Sequence, residues 1–217
     1  MNMKLEWIGH ACFRMTAQDG TTVITDPYDR SVGIDMIPLK ADLITMSHEH
    51  HDHNETCMIE GDPVIVHGPE LACVGSVTAR AVDSYHDDAQ GAKRGRNFIR
   101  IFEIDGLKVV HMGDQGCMPD EDALEAIDSA DVMLIPVGGT YTVDAEEAKA
   151  IVEAARPKCV VPMHVKTKRC PYPIAPVTEF LRVMGAEDAS AYDVIELAEG
   201  HVPGGVLLMQ PKADALC

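Results

Sequence analysis

The sequence concentrates histidine and carboxylate side chains in one short segment. Four of its ten histidines lie within residues 48–53, whose order is His-Glu-His-His-Asp-His. The mainly apolar residues 43–46, separated from this segment by Ser47, predict a buried strand. Because residues two apart in an extended chain point to the same side, His48 and His50 can converge on one ion, while the closing Asp-His pair faces a second. A solvated loop that happens to be rich in histidine is the alternative, which the buried strand disfavours.

Further metal ligands have to come from elsewhere in the chain, because two clustered pairs leave two coordination shells incomplete. Three candidates each follow a predicted apolar strand, in a polar or glycine-containing turn: His86, Asp114 and His164. Taken one at a time, such residues are more often ordinary core or surface side chains. As a set with residues 48–53 they supply seven ligands, enough for two metal ions that share one carboxylate. Imidazole with some carboxylate favours zinc and also accepts manganese or iron.

The elements that must position these residues follow from apolar patterning. Twelve strands are predicted: Lys4–Ile8, Cys12–Thr16, Thr22–Thr25, Leu43–Met46, Pro63–Val66, Ala79–Ser84, Asn97–Ile104, Leu107–His111, Val132–Val137, Cys159–Met163, Val194–Leu197 and Val206–Met209. Two helices are predicted, near Asp144–Ala155 with Asp144 as N-cap and over Pro176–Met184 with Gly185 closing it. Strands that later alternate with helices predict an α/β fold, with sheets packed together and helices outside.

Several motifs beyond the ligands carry a family resemblance. They are Trp-Ile-Gly-His-Ala-Cys-Phe at residues 7–13, Thr-Asp-Pro at 25–27 and Ile-Pro-Val-Gly-Gly-Thr-Tyr-Thr at 135–142. With the His-x-His-x-Asp-His spacing, the later Gly-Asp and the final Pro-x-His, they resemble the metallo-β-lactamase superfamily. The similar branch includes the ascorbate-phosphate lactonase and N-acyl-phosphatidylethanolamine phospholipase D. The resemblance covers about residues 4–166 and implies a four-layer αββα sandwich, for which we expect one domain over residues 1–217.

The resemblance also implies a role for each candidate ligand. It divides them into two groups of three with one bridging carboxylate: His48, His50 and His86; Asp52, His53 and His164; and Asp114 between them. Asp52 and Asp114 are then the catalytic carboxylates, because Asp52 can orient the nucleophile and Asp114 can fix the metal–metal separation. One departure is that Gln115 follows Asp114, where many relatives carry threonine. This change puts a supporting contact to the bridging loop in doubt, but not the ligand itself.

The chemistry expected of such a site is hydrolysis by a metal-bound hydroxide. Two divalent ions about 3.5–4 Å apart lower the pKa of a shared water from about 15.7 towards 7, and one ion can polarise the scissile carbonyl or phosphoryl oxygen. The sequence contains no Gly-x-Ser-x-Gly motif or phosphate-cradling loop that would supply a rival mechanism. We therefore predict a binuclear hydrolase of a small, anionic ester, lactone or phosphodiester.

Substrate contacts are predicted at His10, Tyr141 and Lys166. Six of the 18 basic residues follow two of the ligands: Lys93, Arg94 and Arg96 after His86, and Lys166, Lys168 and Arg169 after His164. In an acidic chain these loops can give the site a positive mouth, although ordinary solvated loops are the alternative. The alternative for His10 is a histidine packed in a turn, and the alternative for Tyr141 is a packing role. His111 is either a supporting residue of the site or simply a strand end.

Composition limits the partners. With 35 acidic against 18 basic residues the net charge is −17, which opposes nucleic acid and anionic membranes as partners. No apolar run approaches the roughly 20 residues that cross a bilayer, and no secretion signal is recognisable at the start. The seven cysteines are odd in number and form no Cys-x-x-Cys pair, which is typical of reduced thiols. We expect a cytoplasmic protein with a small-molecule substrate, and homo-oligomerisation stays open.

Three other functions remain as alternatives. A di-iron oxidoreductase on the same fold often replaces one motif histidine by a carboxylate, but His50 stands where glutamate would be expected. A nuclease of this superfamily usually carries an added domain that clamps the substrate, for which 217 residues leave little room. The net charge of −17 also opposes the binding of nucleic acid. A metal-binding protein without catalysis is disfavoured by the complete ligand set.

Overall fold

The computed structural model describes residues 2–212, which fold around two large β-sheets. The strands are β1 (Met3–Gly9), β2 (Cys12–Thr16), β3 (Thr22–Thr25), β4 (Leu39–Lys40), β5 (Leu43–Thr45), β6 (Ile59–Glu60), β7 (Val64–Val66), β8 (Ala72–Val74), β9 (Val77–Tyr85), β10 (Arg96–Ile104), β11 (Leu107–His111), β12 (Val132–Pro136), β13 (Cys159–Met163), β14 (Ala191–Tyr192), β15 (Ile195–Leu197), β16 (Gly205–Val206) and β17 (Leu208–Met209). The helices are α1 (Glu121–Ile127), α2 (Ala145–Ala155) and α3 (Val177–Met184), with a 3-10 helix at Arg30–Val32.

The first sheet has the strand order β15-β1-β2-β3-β5-β7. It begins as an antiparallel meander and becomes parallel from β3 through β5 to β7. Neighbouring residues of β3 and β5 enter different apolar clusters: Val23 and Leu43 join the main core, whereas Ile24 and Ile44 join a smaller one. Because successive side chains of a strand point to opposite faces, this sheet is buried on both faces.

The second sheet has the order β16-β13-β12-β11-β10-β9-β8. Its β10–β11 hairpin turns at Asp105 and Gly106, whose φ angles are 52° and 79°. Two adjacent residues with positive φ suit the tight turn that the Asp-Gly pair predicts. From β11 through β12 to β13 the sheet is parallel, and every residue of β12 and β13 is buried. Two small sheets, β14-β17 and β4-β6, complete the strands.

Helices α1, α2 and α3 lie side by side against the second sheet, where α1 contacts β9 and α3 contacts β13. The predicted N-cap Asp144 begins α2, and its carboxylate accepts from the Glu146 and Glu147 backbone N–H groups in a capping box. Pro176, predicted as the first residue of α3, is instead its N-cap. The prediction omitted α1, which spans only seven residues after the N-cap Asp120.

The predicted α/β fold is confirmed, although its two outer layers differ. Over the outer face of the first sheet, the structure places the 3-10 helix and its flanking loop within the described residues 2–212, with no α-helix there. Tyr28, Val32 and Ile34 of this segment pack in one cluster with Ile24 and Ile44. A few large apolar side chains in a loop therefore form the layer that a helix would occupy.

The end of the chain differs from the prediction of one strand over Val206–Met209. Leu207 still donates its N–H to the carbonyl of Val160 in β13, at 2.9 Å. Leu208 pairs instead with Ala191 of β14, so the segment passes from one sheet to another and divides into β16 and β17. In residues 2–212 no helix is long and apolar enough to cross a membrane.

Strand ends of both sheets meet at one edge of the sandwich, where the predicted ligands lie. The first sheet supplies His10 after β1, Asp26 after β3 and residues 48–53 after β5. The second sheet supplies His86 after β9, Asp114 after β11 and His164 after β13. Polar side chains on loops are thereby carried by a rigid scaffold.

Candidate metal centre

Asp114 lies at the centre of the predicted ligand set. Its Oδ2 atom is 3.3 Å from the Nε2 atoms of His53, His86 and His164. The Nε2 atom of His48 lies 4.0 Å from the same oxygen. Asp114 and these histidines are buried, so the charge of the carboxylate is surrounded by imidazoles and shielded from solvent.

Three overlapping groups of possible ligand atoms lie within 4.8 Å of one another, and two of these groups consist of predicted site residues. One group contains His48, His50 and His86, and the other contains His10, Asp52, His53 and His164. These two groups contain the residues of the two sets named from the resemblance, with His10 added to the second. The third group, Asp26 with His48 and His53, overlaps both, and Asp114 is in none of the three groups found among residues 2–212. In the first group, His48 Nε2 and His50 Nδ1 are only 3.0 Å apart. Two nitrogens that close suit a shared cation.

Several buried site atoms have no hydrogen-bond partner within residues 2–212. They include His10 Nε2, His53 Nε2 and the Oδ1 atom of Asp114. Buried polar atoms are normally paired, and each unpaired one requires a physical reason. Nitrogen and carboxylate oxygen are donors that zinc prefers, so bound metal ions would account for the unpaired atoms of His53 and Asp114. The residues present therefore fit a metal centre.

Left-handed backbone conformations aim three site residues inward. His10, Asp26 and His164 have φ angles of 53°, 40° and 52°. Such values are uncommon for residues other than glycine and cost free energy, which the surrounding structure must offset. The turn at His10 is held by its carbonyl, which accepts from Trp7 Nε1 at 2.9 Å and from the His164 backbone N–H at 3.2 Å.

Asp26 supports the ligands from behind, a role that the sequence analysis missed. Its Oδ2 accepts a hydrogen bond from His53 Nδ1 at 2.9 Å, so the Nε2 atom of His53 faces Asp114. The same carboxylate accepts from the N–H and hydroxyl of Ser47, the residue before His48. Burial raises the pKa of Asp26, but neighbouring imidazoles, His111 and His53 among them, outweigh burial and lower the pKa to about 2. The only signal was its place in Thr-Asp-Pro after a buried strand.

His111 joins the two loops that carry His10 and Asp114. Its Nδ1 accepts from the Gly113 N–H at 3.1 Å, and its Nε2 therefore carries the proton and donates to the Ala11 carbonyl at 2.7 Å. These contacts favour the interpretation of His111 as a supporting residue of the site over that of a simple strand end.

Gln115 keeps the loop of Asp114 connected, although it stands where the resemblance leads us to expect threonine. Asn97 Oδ1 accepts from the Asp114 backbone N–H at 2.9 Å, and Asn97 Nδ2 donates to Gln115 Oε1 at 3.1 Å. Gln115 Nε2 in turn donates to Ser84 Oγ at 2.6 Å. The amide of Gln115 thereby ties the loop of Asp114 to the end of β9, which precedes His86.

A cavity of about 330 Å³ opens onto the two ligand groups. It is lined by His50, Asp52, His86, Arg94, Asp114, Tyr141, His164 and Tyr172. Tyr141, predicted as a substrate contact, is in this wall. His10 is buried behind the cavity, with Nε2 3.5 Å from Asp52 Oδ2. Lys166 lies outside the lining and donates through Nζ to the Tyr172 carbonyl at 2.6 Å.

Tyr172 was not anticipated from the sequence. Its hydroxyl bonds to Ser31 Oγ at 2.8 Å, and its ring lies 6.0 Å, between centroids, from that of Tyr141. Burial raises the pKa of Tyr172 to about 12, so the phenol stays protonated at neutral pH. No local sequence pattern identifies Tyr172 as a site residue, because its contact with Ser31 spans 141 positions of the chain.

A two-sheet α/β fold with histidines and aspartates gathered at its strand ends defines a class of metal-dependent enzymes. The profile of the β-lactamase superfamily domain matches residues 4–164, and the chain belongs to the metallo-β-lactamase superfamily as a metal-dependent hydrolase. It is 32% identical to a UPF0173 metal-dependent hydrolase of Thermoplasma acidophilum, over 76% of this chain and 84% of that protein.

Two further proteins extend the comparison. The chain is 34% identical to a UPF0173 protein of Pyrococcus furiosus, over 76% of this chain and 84% of the relative. A crystal structure from Thermotoga maritima, assigned to the Zn-dependent hydrolases of the metallo-β-lactamase superfamily, superposes with a TM-score of 0.80. That protein is 33% identical, and the match covers 95% of this chain and 98% of the other.

Proposed function

We propose that this protein is a binuclear hydrolase that cleaves a small, anionic ester, lactone or phosphodiester. The observation that carries the proposal is the position of Asp114. Its Oδ2 atom lies 3.3 Å from His86 of one ligand group and 3.3 Å from His53 and His164 of the other. A carboxylate within reach of both groups is what two neighbouring cations require as a bridge.

The residues divide between two ions as follows: His48, His50 and His86 would hold one, Asp52, His53 and His164 would hold the other, and Asp114 would serve both. Histidine-rich sites with carboxylate favour zinc over calcium or magnesium, and manganese or iron are accepted. When bound, a pair of such ions lowers the pKa of coordinated water and polarises the scissile bond.

Asp52 is the residue suited to orient the attacking water. It lines the cavity, and its Oδ2 lies 3.5 Å from His10 Nε2 and 3.9 Å from His53 Nε2. A carboxylate oxygen at the cavity surface can accept a hydrogen bond from water while the buried imidazoles hold it in place. His10 is then a positioning residue for Asp52, because it is 2% exposed and behind the cavity.

The size of the cavity supports a small substrate. A volume of about 330 Å³ lies at the lower end of ordinary ligand pockets, which start near 300 Å³. A net charge of −17 opposes the binding of nucleic acid, which disfavours the nuclease alternative.

The metal content of the protein tests the proposal. Elemental analysis of protein loaded with zinc and then desalted should give about two ions per chain, and Asp114→Asn should lower kcat by far more than about tenfold. The amide keeps the shape of the side chain but removes the negative charge that two dications require. Asp83→Asn, an exposed change in the same sheet, is the matched control and should alter neither quantity.

Two results would overturn the proposal. The first is one ion or none in fully loaded protein. The second is a kcat for Asp114→Asn within about twofold of wild type, equivalent to less than about 1 kcal/mol, which would mean that Asp114 is not the bridge. Iron in protein purified without added metal, with visible-light absorption, would favour the oxidoreductase alternative.

A further inference from the structure

One cationic side chain other than histidine lines the cavity above the ligand groups. Arg94 lies in the loop between β9 and β10, eight residues after His86. Its Nη2 donates to the Thr140 carbonyl at 3.1 Å, and its guanidinium carbon lies 5.7 Å from the centre of the Tyr141 ring. Both contacts hold the guanidinium at the cavity wall.

Arg94 differs from the other basic residues of the two neighbouring loops. Lys93 pairs with Asp88 at 2.5 Å and Arg96 pairs with Asp83 at 2.6 Å, in both cases through exposed side chains. Lys166 is engaged by the Tyr172 carbonyl, and neither Lys168 nor Arg169 lines the cavity. Among the described residues Arg94 has no carboxylate partner, so its charge is available to a ligand.

The loop that carries Arg94 is closed by a buried carboxylate. Asp87 accepts hydrogen bonds from the backbone N–H groups of Ala89, Gly91, Lys93 and Arg94 at 2.8, 2.9, 2.9 and 2.7 Å. Because four backbone hydrogen bonds fix this loop, its backbone would lose little conformational freedom when Arg94 binds a ligand. Asp87 also follows His86 directly in the chain, so the loop that carries Arg94 begins at one of the candidate ligands.

We infer that Arg94 is the specificity-determining residue of this site and binds an oxyanionic group, carboxylate or phosphate, on the part of the substrate remote from the scissile bond. This inference rests on the proposed function and adds the position of the anionic group to it. Arg94 has donors besides the one bound to Thr140, and a guanidinium fork matches the two oxygens of a carboxylate or phosphate. Tyr141 helps to hold the guanidinium, and Lys166 has no part in the contact.

Binding of non-hydrolysed probes tests the inference without turnover. Calorimetry with zinc-loaded protein would compare the 4-nitroanilides of glutaric acid (one free carboxylate), of 3-phosphonopropanoic acid and of butyric acid (neutral). In Arg94→Gln we expect affinity for the anionic probes to fall about tenfold or more, with the neutral probe changed by less than about twofold. Arg94→Lys should retain part of the preference, because charge remains and the fork is lost.

Lys93→Ala is the matched control, because it removes a neighbouring cation that faces Asp88 and not the cavity. It should leave all three affinities within about twofold, and metal content should be unchanged in every variant. The difference between the carboxylate and phosphonate probes identifies which oxyanion the site prefers. The Arg94 effect should also shrink as salt rises, since mobile ions screen partly exposed charges.

Two outcomes would overturn the inference. The first is that wild-type protein binds neither anionic probe more tightly than the neutral one. The second is that Arg94→Gln changes the ratio of anionic to neutral affinity by less than about twofold. Hydrolysis of the matched 4-nitrophenyl esters is measured separately. The proposed function alone would be rejected if wild-type protein held fewer than two ions and cleaved no ester, but still bound anionic probes more tightly through Arg94. Cleavage with no Arg94 dependence would reject the inference alone.

Discussion

Asp26 shows how a single side chain behind the candidate ligands fixes their orientation. The carboxylate holds His53 through Nδ1 and leaves Nε2 directed at Asp114, which selects one of the two tautomers of the ring. It also fixes Ser47, whose hydroxyl lies 2.9 Å from His48 Nδ1. Carboxylates in this position orient imidazole ligands and raise their basicity.

We expect Asp26→Asn to lower zinc affinity and hydrolytic activity by about 10- to 100-fold. The amide can offer its NH₂ group to His53 Nδ1, which would move the ring proton to Nε2 and block the ligand atom. Competition with a chromophoric chelator measures the affinity. Asp42→Asn is the control, since Asp42 accepts from the Thr22 N–H at 2.8 Å, at the opposite end of the same strands. Unchanged zinc affinity in Asp26→Asn would contradict this role.

At the residue scale, the sequence predicted the candidate ligands and left the role of His111 open, but it did not mark Asp26 as a support. Residue type and spacing single out residues 48–53, because few structural roles require that many imidazoles together. The hydrogen bond from His53 to Asp26 spans 27 positions, and no local pattern records it. Arg94 and Lys166 both follow predicted ligands in the chain, and only the fold shows that Arg94 faces the cavity whereas Lys166 bonds to a carbonyl.

Among the strands, β10 carries a buried arginine that joins the two sheets. Arg100 is 1% exposed and donates to the carbonyls of Met46, Val66 and Gly68, at the ends of β5 and β7. Val66 is the last residue of β7, and the other two carbonyls belong to the loops that follow β5 and β7. Met46 lies two residues before His48. The guanidinium therefore holds the ligand loop against the second sheet.

Replacement of Arg100 by leucine should lower the free energy of unfolding by about 3 kcal/mol, because buried carbonyls lose their partners. Urea denaturation followed by circular dichroism measures the change. Arg96→Leu, at the exposed start of the same strand, should cost about 0.5 kcal/mol or less, since exposed ion pairs contribute little. Equal effects of the two substitutions would show that the carbonyl contacts do not hold the sheets together.

Elements with a strong apolar pattern were predictable, and those defined by the packing of loops were not. Strands β2, β3, β11 and β13 have the predicted limits because apolar runs end at polar or glycine residues there. Helix α1 was missed because seven residues carry too few turns to show helical periodicity. The outer layer at the 3-10 helix escaped prediction because Tyr28, Val32 and Ile34 show no regular spacing.

On the scale of the whole molecule, the candidate metal centre spans the interface of the two sheets. The first sheet contributes His48, His50, Asp52 and His53, whereas the second contributes His86, Asp114 and His164. Ions bound by both sets would connect the sheets, just as Arg100 does. Metal binding is in that case coupled to folding.

Removal of metal should therefore lower the thermal midpoint of unfolding. At a free-ion concentration of about 1,000 times Kd, binding adds about 4 kcal/mol, which for a chain of this size corresponds to about 10 °C. Calorimetry with and without a chelator measures the shift. His48→Ala and His86→Ala, one from each sheet, should each reduce it. His67→Ala is the control, because this exposed histidine pairs with Glu49 outside the ligand groups. A midpoint insensitive to the chelator would contradict the coupling.

The left-handed backbone at His10, Asp26 and His164 sets opposing demands on the evolution of this chain. Glycine and asparagine relax that conformation, whereas the proposed metal site requires the imidazole of His164 as a ligand and the side chains of His10 and Asp26 as supports. Selection for catalysis therefore has to act continuously against substitutions that would make the fold more stable. In a gene copy released from that selection, these three positions would be among the first to drift. The strain relieved at these positions would then offset part of the stability that such a descendant loses with its metal ions.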